Sequence, residues 1–456
     1  MKKRISIVLA ALLLTLSRVP LLGLLLFGSG APAANEVLHA EPKLRGEDGV
    51  FNESVLNELS DWFGDHFALR REGVTAWAAL KAALGSSANE KIVLGSEGWL
   101  FFEETLDDYR GLGLTDEALR ETARNLRLMQ DALAGQGTEL LFVIAPNKNS
   151  LYPGHMPGRI ENAHESSNAA RLLPLLEEYG VKSADLFAAF CAQDETLYYR
   201  TDSHWTGRGA ALAADTLLSA LGREPGYFSQ DFAVSGAHTG DLYEMLYPRG
   251  RATEPELQPA GGFAHRCLNE PRGGNAITIR TECGTGEGSL YCWRDSFGVS
   301  LYPYLADSFA SAVFSRSETY DLTKAELSEA DFAVLELVER NLANLWESPA
   351  LYPAPQSEAP AAKTAEERFT VSVTPLSAQG LVRLSAEIPA ALRDAGTSVG
   401  FTAGGVFCEA AVCAAENADC VLVTACVPES LRPGGLLLTQ GGESVLYLCT
   451  SEVGEG

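Results

Sequence analysis

Along this chain the spacing of apolar positions switches between a helical period and strand-like runs, and each switch marks an element. After Phe51, the residues Val55, Leu56, Leu59, Trp62 and Phe63 recur at helical spacing, and a second helical stretch runs from Val74 to Leu84. Ile92 to Leu94, a Gly95-Ser96-Glu97-Gly98 turn and Trp99 to Phe102 predict a hairpin. Thr115 stands where an N-cap belongs, with Asp116 and Glu117 in the first turn and Leu119, Leu126 and Leu133 on one face. Gly135 and Gly137 end that helix. Leu140 to Ala145 is an unbroken apolar run stopped by Pro146, the pattern of a strand covered on both faces.

The alternation continues with a helix over Ala169 to Tyr179, a short strand near Val181 to Leu186 and a helix from Thr206 to Leu221. Ser289 to Trp293 and Phe332 to Leu337 predict two more buried strands, with a helical stretch from Phe297 between them. Strands alternating with helices predict an α/β layer with a mainly parallel sheet and flanking helices. Residues 222–288, rich in Gly and Pro, read as an insertion or as long loops over the sheet. Pro349, Pro353, Pro355 and Pro360 form a linker. Beyond it, Phe369 to Val373 and Leu381 to Ile388 alternate, and short Gly-punctuated runs continue to Leu448. That tail predicts a small C-terminal β domain, a sandwich. The expected division is a helical segment at 35–90, an α/β domain at 91–346, a linker at 347–366 and the β domain at 367–456.

Before all of these stands a different pattern. Lys2, Lys3 and Arg4 precede an apolar run from Ile5 to Leu16, which Arg18 and Pro20 interrupt and Val19 to Phe27 resume. A basic end followed by an apolar run directs export, so residues 1–34 read as a signal peptide cleaved after Ala31-Pro32-Ala33 or as an uncleaved membrane anchor. The body is then extracytoplasmic, either secreted or anchored. Hydrophobic residues make up 46% and charged residues 21% of the chain, which excludes wholesale disorder and a polytopic membrane protein. Against 35 Lys and Arg stand 60 Asp and Glu, a formal net charge of −25 that argues against nucleic acid as a partner. Nine cysteines in an exported chain admit disulfides, but none forms a C-x-x-C pair and no His lies near the terminal cluster, so no metal site is expected.

Acyl transfer at a serine needs a base to take the hydroxyl proton, an acid to orient that base and donors to receive the oxyanion. Tyr199-Arg200-Thr201-Asp202-Ser203-His204-Trp205 offers acid and base two residues apart. In an extended segment such positions share a face, so Asp202 reaches the near ring nitrogen of His204 and leaves the far one free to accept a proton. Leu290-Tyr291-Cys292-Trp293-Arg294-Asp295-Ser296-Phe297-Gly298 runs an apolar strand into Asp-Ser and then a helix. Ser296 therefore falls at the sheet edge where α/β proteins bind ligands, next to the free N–H groups of a helix start. Taken singly, an Asp-x-His is more often a surface ion pair and an Asp-Ser more often a helix cap.

Taken together in order, the segments resemble the alginate O-acetyltransferase family of SGNH-hydrolase-like proteins, the AlgX/AlgJ type, and still more the DHHW proteins of Gram-positive bacteria. The matching segments begin with Asp65-His66-Phe67-Ala68-Leu69-Arg70, Gly95-Ser96-Glu97-Gly98-Trp99-Leu100-Phe101, and Ala145-Pro146-Asn147-Lys148 with Tyr152-Pro153. They continue with Tyr199 to Trp205, Arg294-Asp295-Ser296-Phe297 and Glu336-Leu337-Val338-Glu339-Arg340, so that the resemblance spans Phe51 to Leu345. It implies an SGNH-hydrolase-like, flavodoxin-like parallel sheet with circularly permuted motif order, and a triad of Asp202, His204 and Ser296. Ser203 stands where the DHHW name has a second His and is expected to point away. Arg294 replaces the Gly that precedes Asp-Ser in related blocks, where it is expected to crowd the oxyanion donors.

The resemblance implies an exported O-acetyltransferase acting on a cell-surface or extracellular polysaccharide through an acetyl-serine. No metal or nucleotide cofactor is implied. The acetyl donor comes from a small molecule or from a membrane-bound O-acyltransferase partner, and membrane contact runs through the N-terminal segment if that is uncleaved. Two alternatives remain open: a carbohydrate acetylesterase using the same triad, and a catalytically silent glycan-binding or assembly protein. Lys148, Trp205 and Arg294 are expected as substrate-binding residues, with packing or solvated-loop roles as the competing reading. Glu336 and Glu339 are expected to pair with Arg340 or another base, and Asp65 and His66 to be structural.

Overall fold

The computed structural model describes residues 18–19, 22–26, 28, 38–45, 49–269, 276–317, 319–324, 327, 329–376, 380–393 and 397–453. Most of the expected targeting segment lies outside the described residues. Among the described residues no helix is long and apolar enough to cross a membrane.

Helices α1 (Val55–His66) and α2 (Arg70–Ala83) precede a hairpin of β1 (Ile92–Leu94) and β2 (Leu100–Phe102). Helix α3 (Asp116–Ala134) starts where the capping signal predicts, its Ala118 N–H donating to Thr115 Oγ1 at 3.2 Å. Then follow β3 (Glu139–Ala145), α4 (Asn168–Glu178), β4 (Ser183–Ala184) and α5 (Gly207–Ala220). The span 222–288 holds β5 (Phe232–His238), α6 (Asp241–Leu246), β6 (Glu254–Pro259), β7 (Arg266–Cys267) and β8 (Thr278–Glu282). The α/β layer closes with β9 (Ser289–Trp293), α7 (Gly298–Ser308), β10 (Ser311–Ser315) and β11 (Phe332–Val338).

Seven of these strands form one sheet in the order β4-β3-β11-β9-β10-β8-β7. The five from β4 to β10 are parallel, and β8 and β7 extend the edge antiparallel. Residues 222–288 are therefore more than loops. They add two edge strands and a separate β5–β6 hairpin, which short polar runs such as Thr278-Ile279-Arg280-Thr281-Glu282 hardly announce.

Alternation along the buried strands divides the core in two. Leu141, Val143, Leu290, Cys292 and Val334 face α5 and α7. Leu140, Phe142, Ile144, Tyr291, Trp293 and Leu335 face α3 and α4. Each fully buried Leu or Phe contributes about 1.5–3 kcal/mol relative to exposure, so the central strands are fixed firmly in register. Their C-terminal ends coincide: Val338 pairs with Ala145, and Leu335 with Trp293. The segments leaving those ends begin with Pro146-Asn147-Lys148, Glu339 and Arg294-Asp295-Ser296.

The C-terminal region is a nine-stranded sheet from Gln356 to Val453, continuous in its hydrogen bonding and folded back so that Ser398–Ala403 and Val406–Glu409 pack against Cys420–Pro428, as the faces of a sandwich do. It carries its own apolar core around Val371, Leu384, Ile388, Val399 and Phe401. The stretch expected as a linker is stitched into it, with Gln356–Glu358 pairing with Val406–Cys408. The sheet docks on α3, where Arg124 donates to Glu409 at 2.7 Å and to the Ala410 carbonyl at 3.0 Å, and Asn125 to the Val412 carbonyl at 2.7 Å. The buried Arg393 returns the contact onto Glu117 and Glu121. All nine cysteines are unpaired thiols.

Candidate active site

His204 lies in an irregular segment between Tyr199 and Thr206, with one antiparallel bridge from Tyr198 to Trp205 at its base. Its fold is set by side chains from elsewhere. The ammonium of Lys148, buried under the loop, donates to the carbonyls of Tyr199 at 3.2 Å, Arg200 at 3.1 Å and Asp202. Glu254 accepts the N–H groups of Arg200 and Thr201, each at 3.0 Å. Asp241 accepts the Ser203 N–H at 2.8 Å and its hydroxyl at 2.6 Å. Gly240 permits that approach, since a Cβ there would fall 2.2 Å from the Thr201 carbonyl oxygen.

Asp202 is almost fully buried, and every lone pair that matters is used. Oδ1 accepts the backbone N–H of His204 at 2.8 Å and the ring Nδ1–H at 2.7 Å. Oδ2 accepts from His238 Nε2 at 2.7 Å and from the Asp241 N–H at 2.9 Å. Burial works to raise the Asp202 pKa, but the hydrogen bonds from His204 and His238 outweigh it and hold the pKa well below the usual range. For His204, burial works to lower the pKa, and the hydrogen bond and charge of Asp202 with the charge of Asp241 overcome it, so the pKa is raised. With Nδ1–H committed to Asp202, the far nitrogen Nε2 is the acceptor. It lies 2.9 Å from Ser296 Oγ.

Ser296 lies in the short turn between β9, which ends at Trp293, and α7, which begins at Gly298. The Asp295 carboxylate grips the turn, taking the Phe297 N–H at 2.8 Å and the Val338 N–H at 2.7 Å. Among the described residues no hydrogen bond takes up the Ser296 N–H, which leaves it available to an oxyanion formed at the hydroxyl. The Phe297 ring packs against the imidazole with centroids 4.8 Å apart. A cleft of about 560 Å³ opens over Ser296 and His204, with walls from β6, α6 and α7.

Some expected residues are placed elsewhere. Lys148 is spent on loop carbonyls beneath the site, over the rings of Trp99 and Phe101, so it does not meet a ligand. Burial lowers its pKa to about 8, against the charges of Asp202, Asp241 and Glu254. Arg294 is buried too, its guanidinium on the Ala276 carbonyl at 2.8 Å and the Asp295 carbonyl at 3.2 Å, so it does not line the cleft. Trp205 borders the cleft but is 1% exposed, and its Nε1–H goes to Ser300 Oγ at 2.7 Å, which makes it chiefly packing. Ser203 does not point away; its hydroxyl joins the Asp241 network and lies 3.2 Å from His204 Nδ1.

Among the described residues Glu336 and Glu339 pair with no base. Burial and neighbouring carboxyls raise both pKa values, Glu339 to about 8, and their partners are the Asp295 N–H and the Ser150 hydroxyl. Asp65 is structural as expected, holding His39 at 2.7 Å.

Two residues of the site were missed: His238 at the end of β5 and Asp241 at the start of α6. A Gly-rich surrounding hid them, and a local motif could have flagged only the His-x-x-Asp spacing. Asp202, His204 and Asp241 have ligand atoms within 4.8 Å of one another, as a cation site would. The carboxylate oxygens of that group already accept N–H or O–H donors, which fits a hydrogen-bond network better than a metal.

Residues 92–262 match a family model described as ALGX, SGNH hydrolase-like domain, acetyltransferase AlgX. That match includes Asp202 and His204 and ends before Ser296. The probable alginate O-acetylase AlgJ of Pseudomonas syringae pv. tomato is 29% identical over 211 residues, 44% of this chain and 52% of that protein. The chain thus spans about half the length of the curated relatives it matches. Among solved structures, the O-acetyltransferase domain of Pseudomonas putida AlgJ has a TM-score of 0.38 at 20% identity, covering 55% of this chain and 91% of that one. A DHHW family protein from Eubacterium siraeum has a TM-score of 0.39 at 16% identity, covering 55% and 94%. The family model and the curated relatives agree with the AlgX/AlgJ resemblance of the ordered motifs.

Proposed function

We propose that this protein is an extracytoplasmic O-acetyltransferase that acetylates a polysaccharide through an acetyl-serine on Ser296. The observation that carries the reading is the unbroken line from Asp202 Oδ1 through the His204 ring to Ser296 Oγ, at 2.7 and 2.9 Å. In the first half-reaction, Ser296 Oγ attacks the donor's acetyl carbonyl while its proton passes to His204 Nε2. The Ser296 N–H steadies the oxyanion, the donor's leaving group takes the proton from Nε2, and acetyl-serine remains. In the second, a sugar hydroxyl gives its proton to Nε2, attacks the acetyl carbonyl and expels Ser296, which recovers its proton. Asp202 keeps the imidazole in one tautomer throughout and does not itself become protonated.

No resident cofactor enters these steps. The donor is a small acetyl ester or an acetyl group handed over by a membrane-bound O-acyltransferase, and residues 1–34 direct export as a signal peptide or anchor. The acid and base precede the nucleophile in the chain, in keeping with a circularly permuted SGNH arrangement. A cleft that opens directly onto Ser296 has room for an acceptor sugar, and transfer prevails over hydrolysis when that sugar excludes water from the acetyl-serine.

Incubation with p-nitrophenyl acetate followed by intact-protein mass spectrometry tests the reading. One added acetyl group, mapped to Ser296 and absent from Ser296→Ala, is the expected result. An unmodified Ser296 overturns it. Release of free acetate that soluble glycan does not divert would make the protein an esterase. Unchanged glycan acetylation in cells carrying Ser296→Ala would leave it a silent glycan-binding protein.

A further inference from the structure

On the reading just given, the acceptor sugar must reach Ser296 through the cleft, so the walls of the cleft select it. Besides Asp202, which holds His204, three carboxylates line it: Asp241, Glu244 and Glu256. Among the described residues no Lys or Arg lines it. Three cations near the reacting groups are withdrawn, Lys148 onto the loop carbonyls, Arg294 onto Ala276 and Arg208 onto Glu195. Arg340, whose charge His204 feels, packs against the rings of Phe102 and Phe297 outside that lining. The imidazoles of His204 and His238 both serve the single carboxylate of Asp202.

A sugar carboxylate entering here meets like charge with no Lys or Arg among the described lining residues to receive it, and such a mismatch discriminates strongly between ligands. The remaining wall is aromatic. Phe263 and Tyr302 are partly exposed at the cleft, with Tyr199 and Tyr304 deeper, and Phe263 meets the Tyr304 ring edge-on at 5.0 Å. Ring faces of this kind suit the C–H surface of an uncharged pyranose, and they attract rather than repel an ammonium.

We propose that the acceptor is a glycan of neutral or amino sugars rather than a uronate, with Glu244 and Glu256 enforcing the choice. The relatives that carry alginate in their names would then differ from this chain in the polymer they serve.

The test uses p-nitrophenyl acetate as donor and three acceptors of matched length: oligomers of glucose, of glucosamine and of a uronic acid. Acetylation of the uronate at a kcat/KM lower by about tenfold or more at low salt is expected, with the gap narrowing as salt screens the carboxylates. Glu256→Gln and, separately, Glu244→Gln should each raise the uronate-to-glucose ratio about threefold, in the range of one charge removed at a solvated wall. A uronate acetylated as well as the neutral oligomer overturns the inference. So does a ratio that neither variant moves, or transfer to none of the three. If acetyl-Ser296 never forms, the enzymatic reading fails and takes this inference with it; if it forms without discrimination, only the inference fails.

Discussion

Ser296 and His204 meet at 2.9 Å, yet the chain brings them there in opposite ways. Ser296 stands just past the end of β9, a strand paired on both sides, and its turn is shaped by its neighbour Asp295, which Glu336 and Asn341 hold from the adjoining β11 end. His204 stands on a loop without regular structure, held by Lys148, His238, Asp241 and Glu254. The nucleophile inherits its position from sheet geometry, while the base depends on polar contacts between segments far apart in the chain. The Ser296 side should therefore tolerate change outside its own turn. The His204 side should fail whenever one of its supports is removed.

The sharpest test of the junction itself is Ser296→Ala, expected to reduce acetyl transfer by about 10³–10⁶-fold with an unchanged circular dichroism spectrum. Residual transfer above that range would place the nucleophile elsewhere. Next comes Asp202→Asn, expected to cost about 10²–10⁴-fold in kcat. It also carries a pH signature. His204 acts as a base only when neutral, so the wild-type rate should fall as pH drops through its raised pKa. Removing the Asp202 charge removes the main reason for that rise, and the acidic limb of the profile should move to lower pH. A limb that stays in place would mean that another group titrates.

Two milder substitutions address the contrast directly. Lys148→Met leaves three buried carbonyls without their donor and should cost about 2–4 kcal/mol in urea unfolding, with kcat falling alongside. Glu336→Gln, on the Ser296 side, keeps the shape of a carboxyl whose pKa is raised well above the usual range by burial and Asp295. It should cost less than about 1 kcal/mol and leave kcat within about threefold. Equal effects from the two would erase the distinction between a sheet-borne and a tethered catalytic group.

The same contrast explains what could be read from the sequence. The strand Leu140 to Ala145, the cap at Thr115 and the Asp202-x-His204 pair each write their geometry within a few residues, and the structure contains all three. His238 and Asp241 act on Asp202 across 36 and 39 positions, through a stretch whose short polar strands leave no strong period. Lys148 misled for a related reason. A cation just past a buried strand looks like a ligand group, and only the loop folded over it shows that its charge is consumed by carbonyls. The edge strands β7 and β8 escaped because an antiparallel edge needs little apolar character.

The docking of the C-terminal sheet on α3 has a further consequence. Arg124 and Asn125 reach for the carbonyl oxygens of Ala410 and Val412, atoms that every amino acid carries. The side chains at 410 and 412 can therefore drift over evolutionary time without unfastening those two bonds. Exchange of the tail among kindred chains would preserve those two bonds as long as α3 keeps its two donors, while the pairs to Glu409 and Arg393 would need their own side chains.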